Sequence, residues 1–204
     1  MKHLITIAAI LIFSFSSIFS QNSTKIINAF KNSYKLEREG KFKNAADELK
    51  KVYSDDSYEI NLRIGWLLYN AGLFDQSAAH YQKAINLKPY SEEAKFGLAY
   101  PKTAQGKWKE VTNIYNKILE INPKNTVANY KLGLIYYGKK EYTTAQKYFK
   151  LVLSLYPFDH DALLMSAWTY YFLGKTNSAK ILFNKVLMNN PNDASAKEGL
   201  RYVK

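Results

Sequence analysis

The stretch "NYKLGLIYYGKKEYTTAQKYFKLVLSLYP", residues 129–157, contains two apolar runs with helical spacing and ends in a proline. In the first run, Leu132 and Tyr136 are four residues apart and fall on one helix face. Ala145 and Phe149 repeat that spacing in the second run. The stretch therefore predicts two consecutive helices, each with one face that packs.

The same pattern recurs along the chain at a fixed period. Prolines stand 34 residues apart, at Pro89, Pro123, Pro157 and Pro191. A glycine stands 17 residues before three of them, at Gly72, Gly106 and Gly174. Because a glycine favours a left-handed turn after a helix and a proline stops the next helix, each unit is predicted to be a helical hairpin.

The pattern resembles the tetratricopeptide repeat, whose consensus contains L-G-x2-Y, then A-x3-F, then proline. Residues 129–136 carry the first motif and residues 145–149 carry the second. The resemblance implies an all-α fold, a right-handed superhelix (solenoid) of about five helical hairpins, in which each repeat contacts only its neighbours. We expect repeats at about 24–57, 58–91, 92–125, 126–159 and 160–193, with a capping helix at 194–204 that begins at the N-cap Asp193.

The tryptophan that the family carries at the fourth position of the repeat is missing. When each repeat is counted so that its proline is residue 32, the fourth position holds Asn61, Lys95, Asn129 and Leu163. Tryptophan stands at the ninth position instead, at Trp66 and Trp168. We expect the fold to tolerate the loss and the ninth position to serve binding.

Positions 2, 5, 9 and 12 of each first helix share a face that is separate from the packing face. Since the first helices of this family line the concave side, the resemblance implies that this face forms a groove. The groove residues are predicted to be Leu62, Trp66, Tyr69, Phe96, Tyr100, Tyr130, Tyr137, Trp168 and Tyr171. Arg63 and Lys131 lie beside them, where each could bind a carboxylate. The alternative is that the rings pack between adjacent first helices and only close the superhelix.

Pro101 lies inside the first helix of its repeat, directly after the groove residue Tyr100. It lacks the N–H that would bond the carbonyl of Gly97, and its ring clashes with that carbonyl. We expect a kink near residues 97–101 that changes the direction of Tyr100. The alternative is that the helix ends early.

The first twenty residues, "MKHLITIAAILIFSFSSIFS", combine one lysine, an apolar run and a small final residue, as in a secretory signal peptide cleaved after Ser20. An uncleaved N-terminal membrane anchor is the alternative. The chain of 204 residues has a formal charge of +12 and no cysteine. For an exported, periplasmic protein this charge favours solubility first and an acidic surface or polysaccharide second, and not nucleic acid.

Residues for catalysis or metal binding are sparse. The three histidines are His3, His80 and His160, which are too far apart for a ligand cluster, and there is no zinc-protease motif or nucleophile elbow. We expect no catalytic, cofactor or metal site. The sequence predicts a non-catalytic protein-interaction scaffold of the bacterial cell envelope, a monomer or small oligomer that binds a protein segment. The alternatives are a glycan-binding module and a structural subunit of an envelope complex.

Overall fold

The computed structural model describes residues 23–203, and every regular element in this range is an α-helix. Helix α1 covers residues 23–38. The other helices are α2 (Phe42–Lys50), α3 (Tyr58–Asn70), α4 (Phe74–Leu87), α5 (Glu92–Ala104), α6 (Trp108–Ile121), α7 (Thr126–Gly138), α8 (Tyr142–Leu155), α9 (His160–Phe172), α10 (Thr176–Asn189) and α11 (Ala194–Tyr202). The all-α fold of tandem helices expected from the sequence is confirmed.

The segment at 1–20 that was predicted to be a signal peptide lies outside the described residues. Within the described range, none of the helices combines the length and the hydropathy that a membrane span requires.

The chain divides into two compact units, with the boundary between Gln105 and Gly106. Helices α1 to α5 form the first unit, and helices α6 to α11 form the second. In the first unit α3 packs on α4, and α4 packs on α5. In the second unit each helix from α7 to α11 packs on the helix that precedes it in the sequence. Within each unit the packing is therefore mainly between helices that are neighbours in sequence.

Five helices begin at a side-chain cap that recurs every 34 residues. In each, the side-chain oxygen of the N-cap accepts a hydrogen bond from the backbone N–H three residues later, which satisfies one unpaired donor of the first turn. The caps are Ser57, Ser91, Asn125, Asp159 and Asp193. Asp193 therefore caps α11 as predicted, and its Oδ1 accepts from the N–H of Ala196 at 2.7 Å.

A residue in the left-handed conformation follows the first helix of each pair. Gly40, Gly72, Gly106 and Gly174 have φ angles of 72, 75, 68 and 72°. Glycine adopts this conformation without steric cost because it has no Cβ. Lys140 takes the same place after α7, with a φ of 62°, and is the one non-glycine residue of the described range with a positive φ. The repeat therefore imposes the turn even where glycine is absent.

Buried rings from second helices lie directly against glycines of first helices. Tyr81 of α4 is held between Gly65 of α3 and Gly97 of α5, and a Cβ added to Gly97 would be 2.1 Å from the Tyr81 ring. The second unit pairs Phe149 with Gly133 and Phe183 with Gly199 in the same way. All three rings are buried. The missing side chains let the helices approach closely enough to enclose the rings.

The predicted packing faces are largely buried. Leu132, Ala145 and Phe149 have no exposed surface. Tyr136 is only half-buried, and its ring stacks on that of Tyr148 at a centroid distance of 5.5 Å. The tyrosine at the eleventh position therefore covers the edge of the core and does not enter it.

The fourth position of the repeat, which lacks the family tryptophan, holds a buried polar side chain in three repeats. Asn129 Nδ2 donates to the carbonyls of Pro123 at 3.1 Å and Asn125 at 2.8 Å. Asn61 and Lys95 donate to the corresponding carbonyls of the connections before α3 and α5. Hydrogen bonds to the preceding connection therefore take the place of packing by tryptophan.

Pro101 is a buried residue inside α5, and the helix continues to Ala104. The carbonyl of Pro101 accepts the N–H of Gln105 at 3.1 Å, so regular bonding continues beyond the proline. The alternative that the helix ends early is wrong. The kink near residues 97–101 stays a prediction.

Replacing Lys140 by glycine should stabilise the protein by roughly 0.5–1 kcal/mol, because a side chain in the left-handed region is strained. The free energy of unfolding, measured by urea denaturation, checks this. The matched control is Lys139→Gly, since Lys139 has a φ of −77° and gains nothing from glycine. We expect that control to lower stability, and equal effects of the two variants would contradict the prediction.

Gly97→Ala should destabilise the first unit by about 1–3 kcal/mol, because the new methyl group overlaps the buried Tyr81 ring and forces the helices apart. The comparison is Gly138→Ala at the end of α7, where an added Cβ meets nothing within 4 Å. There alanine should stabilise the helix by up to about 1 kcal/mol. Thermal unfolding of both variants tests the contrast, and a neutral Gly97→Ala would show that the ring has room to move.

Candidate functional site

A pocket of about 760 Å³ opens in the first unit between α1, α3 and α5. Seven of the twelve residues that line it are aromatic: Phe30, Tyr34, Tyr58, Trp66, Tyr81, Phe96 and Tyr100. The charged residues on the wall are Glu59, Arg63 and Glu93. Of the residues predicted to line a groove, Leu62, Arg63, Trp66, Phe96 and Tyr100 lie on this wall. The structure thus brings five of the predicted residues to one concave surface.

Glu37 of α1 holds the arginine and the tryptophan of this pocket in place. Arg63 forms a two-pronged ion pair with the Glu37 carboxylate, and Trp66 Nε1 donates to Glu37 Oε1 at 2.9 Å. The guanidinium of Arg63 also lies 4.0 Å from the centroid of the Tyr34 ring. The hydrogen bond from Arg63 lowers the pKa of Glu37 below its ordinary value of 4.5; burial opposes that shift and the bond from Trp66 assists it.

This network changes the role expected of Arg63. The sequence suggested that Arg63 binds a carboxylate of a ligand, but its guanidinium is already paired with a carboxylate of this chain. Its side chain is only 13% exposed. Arg63 therefore positions Trp66 through Glu37 and is a poor anchor for an external anion.

Trp66, Tyr69 and Tyr100 form a ring cluster at the pocket. The centroids of Tyr69 and Tyr100 are 5.4 Å apart, and those of Trp66 and Tyr100 are 6.3 Å apart. The rings therefore do pack between the adjacent first helices α3 and α5, as the packing alternative requires. Trp66 nevertheless exposes 36% and Tyr100 49% of its surface. Area for a ligand remains on both rings.

The second unit has its own ring cluster. Its members are Tyr137, Tyr142, Trp168, Tyr171, Phe172 and Tyr202. Phe172 stacks on Tyr142 at 4.8 Å, and Trp168 lies 6.2 Å from Tyr202 of α11. The indole Nε1 of Trp168 donates to Ser195 Oγ at 2.9 Å. Phe172 and Tyr202 are about half exposed, so this cluster also presents an aromatic surface.

The two remaining predicted residues lie on α7 of the second unit. Tyr130 is half-buried with its ring 5.8 Å from Phe149, and burial raises the pKa of Tyr130 to about 12. Lys131 is exposed. The predicted groove residues thus fall into one group in each unit, and their use in binding stays a prediction.

Several residues of these surfaces were missed by the sequence analysis. They are Phe30, Tyr34 and Glu37 of α1, Glu59 and Glu93 at the second position of their repeats, and Tyr202 of α11. The second position shares the groove face with positions 5, 9 and 12, so the helical periodicity could have predicted that Glu93 lines the groove. Tyr202 is the ninth residue of its unit, the position that holds Trp66 and Trp168.

Both histidines of the described range have structural contacts. His80 Nδ1 bonds Asn61 Oδ1 at 2.9 Å, and burial lowers the pKa of His80. His160 begins α9 and bonds Asp161 and Asp193 at 3.1 Å each; the bond with Asp161 is the main cause of its raised pKa. Within residues 23–203, no group of three or more histidine, cysteine or acidic side chains is arranged to hold a metal ion.

Glu37→Gln should lower the free energy of unfolding at pH 7 by about 1.5 kcal/mol, because a charge-assisted bond to Arg63 is lost. Since folding lowers the pKa of Glu37, its contribution is fully present above 4.5 and is lost as the pH falls below that value. The difference between variant and parent should therefore shrink in denaturation curves recorded below pH 4. Glu39→Gln, at an exposed carboxylate that pairs with Lys41, is the control and should change stability much less. An unchanged difference across this range would show that packing, and not charge, explains the loss.

Comparison with known proteins agrees with the repeat architecture. Tetratricopeptide repeat models match residues 34–92, 114–147 and 161–193, which together make up more than half of the chain. A TPR repeat-containing protein of Methanocaldococcus jannaschii is 29% identical in an alignment of 150 residues, and the alignment covers 68% of this chain and 26% of that protein. The chain thus spans about a quarter of the length of this relative.

Solved structures share the fold at low identity. A tetratricopeptide repeat protein from Parabacteroides merdae has a TM-score of 0.76 and 21% identity, with 88% of this chain and 72% of that one covered. YrrB, a TPR protein with an unusual peptide-binding site, has a TM-score of 0.71 and 15% identity over 92% of this chain and 97% of its own. MamA has a TM-score of 0.72 and 22% identity over 84% of this chain and 95% of its own. Together with the 34-residue period of prolines and N-caps, the repeat models that match residues 34–92, 114–147 and 161–193 show that the chain belongs to the tetratricopeptide repeat family.

Proposed function

We propose that this protein is a non-catalytic scaffold of the bacterial cell envelope that binds an extended segment of a partner protein on the aromatic faces of its first helices. The observation that carries this proposal is the pocket of the first unit, where Trp66 and Tyr100 keep a third to a half of their surface exposed although α3 and α5 pack closely. Tetratricopeptide repeats are interaction modules, and partly exposed aromatic residues are the usual energetic centres of protein interfaces.

The rigidity of the pocket favours recognition. Trp66 cannot change rotamer without breaking its bond to Glu37, and Arg63 stacks on Tyr34 from the same network. A side chain that is already fixed loses little conformational entropy when a ligand binds. The cluster of the second unit is held similarly, by the bond from Trp168 to Ser195.

The orientation of the rings favours a peptide over a sugar. The planes of Trp66 and Tyr100 meet at 71°, so together they form a corner and not a flat platform. A corner lined by rings accepts a protruding side chain, whereas a sugar ring stacks on an exposed aromatic face. The peptide-binding site of YrrB, a protein of the same fold, adds support for a peptide ligand.

Export is part of the proposal and rests on the pattern of residues 1–20 alone. Sequencing of the N-terminus of the protein isolated from its native host tests it. A chain that begins at Gln21 would support cleavage and export, and a chain that retains its first residues would favour the anchored alternative.

A displayed library of random dodecapeptides should yield binders whose affinity depends on the ring clusters. For peptides that bind the first unit, Trp66→Ala should weaken binding at least about tenfold, since interface tryptophans often contribute 2 kcal/mol or more. Trp168→Ala should have the same effect on peptides that bind the second unit. Dissociation constants measured by calorimetry provide the test.

Trp108→Ala is the matched control, because Trp108 is 51% exposed at the start of α6 and belongs to neither ring cluster. It should leave every affinity unchanged. Circular dichroism must show that the variants keep their helical content. Selected peptides that bind all three variants as tightly as the parent, or a library that yields no binder, would overturn the proposed function.

A further inference from the structure

The pocket of the first unit has one carboxylate that no cation of the described chain neutralises. Glu59 pairs with Lys88 at 3.2 Å, and Arg63 pairs with Glu37. Glu93 accepts a hydrogen bond from the neutral hydroxyl of Tyr58 at 3.2 Å. Among residues 23–203, no lysine or arginine forms an ion pair with Glu93. The pocket is therefore locally acidic, although the whole chain has a formal charge of +12.

Glu93 stands at one end of an aromatic wall. Glu93, Phe96 and Tyr100 are three and four residues apart on α5, so they share one helix face. Trp66 of α3 faces the last of them across 6.3 Å. All four residues line the pocket. An apolar channel with a negative charge at its end is complementary to a long side chain that is aliphatic along its length and cationic at its tip.

Two cations of the chain already occupy matching positions at this pocket. The Arg63 guanidinium lies 4.0 Å from the ring centroid of Tyr34 and pairs with Glu37. The Lys88 ammonium lies 4.1 Å from the ring centroid of Tyr58 and pairs with Glu59. Each combines a ring face with a carboxylate, an arrangement that attracts a cation from two sides. The rings of Phe96 and Tyr100 and the carboxylate of Glu93 form a third set of the same kind, in which Glu93 has no ion-pair partner among residues 23–203.

We infer that the pocket of the first unit selects a lysine or arginine side chain of the partner segment. The charged tip binds Glu93, and the methylene groups lie along Phe96, Tyr100 and Trp66. This preference rests on the proposed function, because it names the side chain that the peptide site recognises. Salt screens charges over about 8 Å at physiological ionic strength. Within that distance the positive charge of the rest of the chain repels further cations of the partner strongly, and beyond it the repulsion is weak. The segment around the basic residue is therefore neutral or acidic.

Nuclear magnetic resonance of the 15N-labelled protein tests the preference with small probes. The probes are N-acetyl-lysine N-methylamide, its arginine equivalent, and the norleucine analogue, which has nearly the same shape as lysine and no charge. The indole N–H of Trp66 reports on the pocket, and those of Trp108 and Trp168 lie outside it. The two cationic probes should shift the Trp66 signal in a saturable way, and the norleucine probe should shift it much less.

Glu93→Gln should weaken binding of the lysine probe roughly two- to fivefold, in line with one partly exposed ion pair. Glutamine keeps the oxygen that accepts from Tyr58, so the fold should be unaffected. Glu92→Gln is the matched control, because it removes the same charge from the same first turn of α5 but lies outside the pocket lining. It should leave the affinity for the probe unchanged.

Several results would overturn the preference: equal shifts from the norleucine and lysine probes, no shift of Trp66 with the cationic probes, or full binding by the Glu93→Gln variant. If library peptides still bind in a Trp66-dependent manner, such results reject the cation preference alone and leave the proposed function intact. If no peptide binds either, both fail.

Discussion

The contact on which the rest of the structure depends is the burial of an aromatic ring of a second helix against glycine backbone of a first helix. Tyr81 in the first unit, and Phe149 and Phe183 in the second, fill this role. A ring enclosed in this way draws two helices together until their backbones nearly touch it. That close approach fixes the register of α3, α4 and α5, and the register decides which residues of α3 and α5 are left on the opposite face. The pocket is thus a consequence of how the core closes behind it.

The period of the sequence was sufficient to predict the helices, their order and most of their core. Prolines and glycines at fixed spacing mark where helices end, and the physical reason is local, because backbone conformation at these residues depends little on the rest of the chain. Lys140 shows the limit of that approach. The period predicts a turn at Lys140, but lysine does not favour the left-handed conformation by itself. The packing of α7 and α8 forces Lys140 into that conformation.

The fourth position shows a second limit. The sequence shows that tryptophan is missing there. It does not show that Asn61, Lys95 and Asn129 replace it by hydrogen bonds, because these bonds depend on where the carbonyls of the preceding connections lie. The residues that the first helix contributes to the pocket were missed for a related reason. Gly40 precedes Gly72 by 32 residues, and a shift of 32 places Phe30, Tyr34 and Glu37 opposite Leu62, Trp66 and Tyr69. An alignment on the prolines alone hides this correspondence, and with it the partner of Arg63.

Helix α11 does more than cover the core of the second unit. Tyr202 and Ser195 belong to the aromatic surface of the second unit, through contacts with Trp168 and Tyr171. Because α11 packs mainly on α10 and α9, its local detachment would remove part of the wall of the cluster. A ligand that touches Tyr202 binds only the closed form, so ligand binding and the detachment of α11 are thermodynamically linked. Amide hydrogen exchange in α11 would then slow as ligand occupancy rises, and the packing of this helix would report whether the aromatic surface of the second unit is filled.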